Sequence, residues 1–217
     1  DYSSPKIDVW GISDKDLFME AHAVLKKQST PFFAIIQTAD NHRPYTIPEE
    51  DRPYVKMRSF PKDSLEKYGF WSNEEMNAYT YMDYTYKVFM EAAAKEKYFA
   101  NTLFVFVGDH GIRGNAGTMM PKVWTEQSLT LQHVPLLFYA PGILKPQVQE
   151  QKVSQIDIMP IIACVLHRPV TNTAMGRNLF PDTAVADSGY AGNHAFILDF
   201  DMRLIGLHNV ENVMAAV

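Results

Sequence analysis

Asp109 and His110 close the run Thr102-Leu103-Phe104-Val105-Phe106-Val107-Gly108-Asp109-His110-Gly111. A carboxylate beside a neutral imidazole can ligate one divalent cation, the first supplying charge and the second a borderline nitrogen. The β-branched and aromatic residues ahead of the pair predict a buried strand, and the carboxyl ends of strands are where open α/β sheets place their chemistry. Glycines on both sides let the backbone turn sharply and approach a ligand. The plainer alternative is that Asp109 caps the next turn while His110 lies on the surface. A second imidazole, His42, follows another apolar run, Phe32-Phe33-Ala34-Ile35-Ile36-Gln37. If both strands belong to one parallel sheet, His42 and His110 emerge on the same rim.

The elements that must carry these residues are legible from patterning. Ser13 or Asp14 can cap a helix over 15–27, where Leu17, Phe18, Ala21, Val24 and Leu25 recur at helical spacing. Residues 49–68, rich in proline and charge, read as a long surface loop. Ser72-Asn73-Glu74-Glu75 resembles a capping box that opens a long helix to about Tyr98. Its tyrosines are read as core contacts before they are read as a sugar platform. A short helix is expected over 124–131, a strand over 133–140, and an apolar helix opened by Ser154-Gln155-Ile156-Asp157 and running to about Leu166. Residues 195–200 and 204–208 predict a terminal β-hairpin. The expectation is therefore an α/β fold, a mainly parallel central sheet flanked by helices with an antiparallel hairpin at the end, forming one domain over 1–217.

Composition narrows the function classes. A formal charge of -5 without clustered Lys and Arg argues against a nucleic-acid partner. The loop Ile112-Arg113-Gly114-Asn115-Ala116-Gly117 has neither dinucleotide-binding nor P-loop spacing. Cys164, the single cysteine, sits in an apolar run and reads as a packed thiol. No stretch reaches the roughly 18 apolar residues of a membrane span.

Four motifs together carry a resemblance. They are Asn41-His42-Arg43-Pro44-Tyr45, Val105 to Gly111, His133-Val134-Pro135-Leu136 through Pro141-Gly142, and Gln155 to Pro160. In that order they resemble the sulfatase branch of the alkaline phosphatase superfamily. Within it the chain is most similar to lipoteichoic acid synthases and phosphoglycerol transferases, and the segment Trp10 to Phe18 resembles theirs.

The resemblance implies an alkaline phosphatase-like fold, with Asp109 and His110 as metal ligands and His133 as a further one. His42 would be the catalytic residue contacting the substrate phosphate or sulfate, with Trp10 and Lys122 as substrate-binding residues. The implied cofactor is Mn²⁺, Mg²⁺ or Zn²⁺, or Ca²⁺ in a true sulfatase. The implied substrate is a lipid or glycan phosphodiester or sulfate ester, and the implied location is the extracytoplasmic face of a membrane. Family members carry an acidic ligand and a Thr, Ser or modified Cys nucleophile on an earlier strand and helix, which these residues do not include. The expectation is thus an incomplete, amino-terminally truncated fold that is inactive alone and reaches the membrane through its missing amino-terminal part. Two other functions stay open: sulfate ester hydrolysis on the same scaffold, and a non-catalytic domain binding a glycan or partner.

Overall fold

A computed structural model of the chain describes residues 2–115, 119–168, 171 and 176–179, and the strand backbones of 195–201 and 213–216. The elements in chain order are α1 (Asp14–Leu25), β1 (Phe33–Ile35), α2 (Lys62–Lys67), α3 (Asn73–Ala93), β2 (Thr102–Val107), α4 (Val123–Glu126), α5 (Leu129–Gln132), β3 (His133–Tyr139), β4 (Gln147–Gln149), α6 (Ile158–Val165), β5 (Ala195–Asp201) and β6 (Val213–Ala216). They fall into two compact units, one of residues 1–30, 36–99 and 112–130, the other of 31–35, 100–111 and 131–217.

The first unit is built on α1 and α3. The Ser13 hydroxyl accepts from Asp16 N at 3.1 Å and starts α1, while the Ser72 hydroxyl accepts from Glu75 N at 3.1 Å and starts α3. Such caps satisfy donors that the first helical turn leaves open. Ala78, Tyr81, Thr85, Phe89 and Ala93 form the buried stripe of α3. Phe18 of α1 meets it, ring against ring with Phe89 at 5.0 Å and with Tyr86 at 5.3 Å.

The segment expected to be a long loop has more order than its composition indicates. It contains α2 and a 3-10 turn at Arg52–Tyr54. Two asparagines of α3 hold it as though they were strand partners. The Asn77 amide pairs with both the N–H and the carbonyl of Arg58 at 2.9 Å, and Asn73 does the same for Phe60 at 2.8 and 3.1 Å. Asp51, within this segment, is buried, paired with Lys15 and accepting from the Tyr81 hydroxyl at 2.8 Å.

The second unit is a sheet of six strands in the order β1-β6-β2-β3-β5-β4. Its core joins Leu103, Val105 and Val107 of β2 and Val134, Leu136 and Phe138 of β3 to Ile158, Ile161, Ile162 and Val165 of α6. The α/β class stands, but the expected mainly parallel order does not. β1–β6, β2–β6, β2–β3 and β3–β5 are all antiparallel, and the parallel pairing among the described strands is β4–β5. Continuous apolar runs record burial on both faces, and an antiparallel strand covered on both sides leaves the same record.

Of the terminal hairpin, the first arm is found as β5. β5 pairs along its whole length with β3 and lies inside the sheet, while the expected second arm, 204–208, falls outside the described residues. One expected relation survives in part. β1 and β2 are both antiparallel to β6, so they run in the same direction.

Candidate active site

The site residues divide between the two units, and each group has its own supports. In the second unit, Asp109 and His110 follow directly on β2. The last ladder contact is Gly108 N donating to Pro135 O at 3.3 Å, and a Cβ on Gly108 would stand 3.0 Å from Val134 Cβ. Any side chain at 108 would crowd Val134, so glycine suits the close approach of β2 to β3 just before the pair.

Beyond Gly108 the backbone turns. Asp109 Oδ1 accepts from His110 N at 2.8 Å, which aims Oδ2 toward His110 Nε2, 3.8 Å away. His110 Nδ1 lies 2.8 Å from Gly111 O. A carbonyl oxygen can only accept, so Nδ1 carries a proton and, in the neutral ring, Nε2 keeps its lone pair. Two lone-pair atoms thus converge at a separation that a divalent ion bonded at about 2.1 Å to each would span. Both side chains are partly open to solvent, at 35% for Asp109 and 55% for His110. The pair fits a divalent cation as two of its ligands.

The antiparallel register brings a third residue to this rim. Val107 lies opposite Leu136, so the end of β2 faces the start of β3, where His133 sits half-buried. However, no group of three or more His, Cys, Asp and Glu side chains is placed to hold a metal among the described residues. His133 therefore shares the rim with the pair without completing a site. It begins β3 on the face opposite Val134, a consequence of strand alternation.

In the first unit, His42 and Trp10 come together. Their rings lie 4.4 Å apart at 38°, and Trp10 Nε1 donates to Arg43 O at 2.7 Å. Trp10 is 53% exposed, so it is not the core residue its type most often is. His42 Nδ1 lies 3.1 Å from Ala39 O and so must be the donor, which directs Nε2 away from the loop. Tyr45 closes the loop at φ 63, its N–H donating to His42 O at 2.8 Å and its hydroxyl to Glu75 Oε1 at 3.2 Å. Lys122 lies at the start of α4, 87% exposed, and pairs with Glu126 at 2.7 Å. That ordinary i,i+4 ion pair does not bring it to the His42 loop.

Spacing gave no hint of what fastens the His42 loop to α1. Asp14 and Asp40 are buried and brace each other through the backbone. Asp14 accepts from Ala39 N at 2.8 Å and Asp40 N at 3.1 Å, while Asp40 accepts from Asp14 N at 2.7 Å. Desolvation raises both carboxyls, Asp14 to about 6 and Asp40 to about 8, and the neighbouring Asp14 charge pushes Asp40 up further. Asp14 receives two backbone donors and Asp40 one, so a proton kept by the pair belongs on Asp40.

A carboxyl whose pKa is raised in the folded state binds its proton more tightly there than when unfolded. Its stabilisation is therefore complete at low pH and is lost as pH rises through the folded value. Melting temperature is expected to fall as pH rises from about 4, the ordinary carboxyl value, to about 8, the folded value of Asp40. Raising one carboxyl pKa by one pH unit is worth about 1.4 kcal/mol, and each kcal/mol moves the melting temperature by about 2–4 °C. Asp14 alone, raised from 3.8 to about 6, then corresponds to about 6–12 °C. Thermal melts against pH should show that slope in the wild type and a much flatter one in Asp40→Asn. An unchanged slope in that variant would remove the pair as its source.

Residues 1–167 match the family model described as Sulfatase. The chain belongs to the sulfatase family. It is 28% identical over 166 residues to the lipoteichoic acid synthase-like protein YvgJ of Bacillus subtilis, covering 72% of this chain and 26% of that protein. It is also 26% identical to lipoteichoic acid synthase 1 of the same organism, covering 75% of this chain and 25% of that one. A crystal structure from Vibrio parahaemolyticus, of a protein in the alkaline phosphatase superfamily, superposes with a TM-score of 0.60 at 28% identity. The match covers 82% of this chain and 40% of that one. The sulfatase-family chain thus spans about a quarter of the length of the curated relatives it matches. Among its described residues no helix is long and apolar enough to cross a membrane.

Proposed function

We propose that this chain is part of a metal-dependent phosphoglycerol- or phosphoethanolamine-type transferase or phosphodiesterase. It acts on lipid or glycan headgroups at the extracytoplasmic face of a membrane. The observation that supports this most is the convergence of Asp109 Oδ2 and His110 Nε2 at 3.8 Å, with Nδ1 already committed to a backbone carbonyl. The names of the relatives, lipoteichoic acid synthases, favour the phosphoglycerol donor over a sulfate ester.

Asp109 and His110 would hold a divalent ion, which would supply charge neutralisation on the transferring phosphoryl group and a lowered pKa for an attacking hydroxyl. His42 donates from Nε2 to a non-bridging phosphoryl oxygen, and Trp10 keeps the imidazole in place and offers an apolar face to the headgroup. One P–O ester bond to the donor breaks as one to the acceptor hydroxyl or to water forms. The nucleophile and remaining ligands belong to other parts of the full polypeptide, so this chain alone is inactive.

The test is an assay of the full-length enzyme with a phosphoglycerol-headgroup lipid and, in parallel, an aryl sulfate. Metal-dependent release of diacylglycerol, abolished by chelation, is the expected result. Sulfate release with the lipid untouched would replace this reading by sulfate ester hydrolysis.

A further inference from the structure

The Asp109 and His110 side chains are partly open to solvent, yet their backbone is held by a buried amide. Gln155 is 8% exposed, and its Nε2 lies 3.1 Å from Gly108 O and 3.1 Å from Asp109 O. These two carbonyls belong to the peptide planes on either side of the Asp109 Cα. One NH₂ group carries two N–H bonds in a fixed plane. By binding both carbonyls it fixes both backbone torsions of Asp109, and with them the direction in which the carboxylate leaves the chain.

This contact begins where the β2–β3 ladder stops, after Gly108 N meets Pro135 O. Without the amide the two carbonyls lack the partner that orients them. Gln155 is itself well anchored. It opens the 3-10 turn Gln155–Asp157, where Ser154 N donates to Asp157 Oδ2 at 2.9 Å, and Asp157 also accepts from Arg177 N at 2.6 Å. A Cβ at Gly176 would overlap the Ile156 carbonyl oxygen, so the following chain is pressed onto that turn. The turn leads directly into α6, whose isoleucines fill the core against β2 and β3.

We infer that Gln155 is the positioning residue for the Asp109–His110 pair, transmitting the rigid packing of α6 to the two ligand side chains. The inference rests on the metal reading above and goes beyond it by naming what makes two exposed side chains a preformed ligand pair.

The experiment uses the full 217-residue chain and Mn²⁺ alone, with NMR as the readout. Broadening of the His110 ring protons gives the apparent affinity, and ring nitrogen shifts in the metal-free chain give the His110 tautomer. Gln155→Leu removes the donor. Gln155→Asn keeps the amide one methylene shorter and guards against an unfolded Leu variant. Expected is a loss of about 10–100-fold in Mn²⁺ affinity for Gln155→Leu, the usual cost of removing an outer-shell partner, with a smaller loss for Gln155→Asn. The metal-free Gln155→Leu chain should also show a mixed tautomer in place of the single Nδ1–H form. Folded Gln155 variants with wild-type affinity and wild-type tautomer would overturn the inference. Mn²⁺ broadening that survives Asp109→Ala, with the tautomer still responding to Gln155, would instead sink the metal reading and leave the positioning role.

Discussion

Replacing Asp109 with alanine is expected to weaken divalent-cation binding by well over about 100-fold, since losing even an outer-shell partner costs about 10–100-fold. The full-length enzyme should lose its turnover in step. Asp109 supplies the charged oxygen of the pair, and it also orders its neighbour, because its Oδ1 accepts from His110 N at 2.8 Å. Alanine would remove one of the two proposed ligands and release the other. Asp109→Asn separates the two effects. The amide oxygen can still accept from His110 N, so the turn persists, but the anionic ligand is gone. Affinity should then fall nearly as far as in alanine, while the fold and the His110 tautomer stay wild-type. Isothermal titration of the parent enzyme with Mn²⁺ decides the matter. An affinity within a few-fold of wild type in both variants would place the cation elsewhere.

The placement of this pair was legible in the sequence because it is local. Gly-Asp-His-Gly after a run of β-branched and aromatic residues places the strand and its carboxyl end, and the structure puts β2 at Thr102–Val107 as the run predicts. Helix starts were equally local, and Ser13 and Ser72 cap α1 and α3 as their surroundings indicate. Strand direction was not legible. The apolar record of β3 is the same whichever way it runs, and the antiparallel β2–β3 register is what brings His133 to the rim of the Asp-His pair.

Residues acting through distant contacts were also hidden. Gln155 meets backbone carbonyls 46 and 47 positions earlier, and Asp14 and Asp40 meet across 26 positions, at spacings no periodicity records. Asn73 and Asn77 made an irregular, proline-rich segment behave as a fixed one, through amide pairs that composition cannot forecast. A cheap signal existed for Gln155 alone. Ser-x-x-Asp at 154–157 announces a turn start, and a buried glutamine there has few backbone groups of its own to satisfy.

Replacing His42 with alanine is expected to cost the full-length enzyme about 10²–10⁴-fold in kcat/KM, the range of positioned proton donors and acceptors. The geometry says more than the magnitude. Nδ1 is committed to Ala39 O at 3.1 Å, so Nε2 can donate to a phosphoryl oxygen only as the imidazolium. The neutral ring offers a lone pair at that position and acts as an acceptor. His42→Gln tests this directly, because its amide donates at every pH. It should recover part of the loss, which a role for Nε2 as acceptor alone would not allow. Trp10→Phe should act differently. It keeps an aromatic face beside His42 but deletes the indole N–H that binds Arg43 O at 2.7 Å, so the loop loses an anchor and KM rises more than kcat falls. If His42→Ala retains wild-type kcat/KM, the imidazole touches no reacting group, and the phosphoryl donor must come from outside the His42–Trp10 loop.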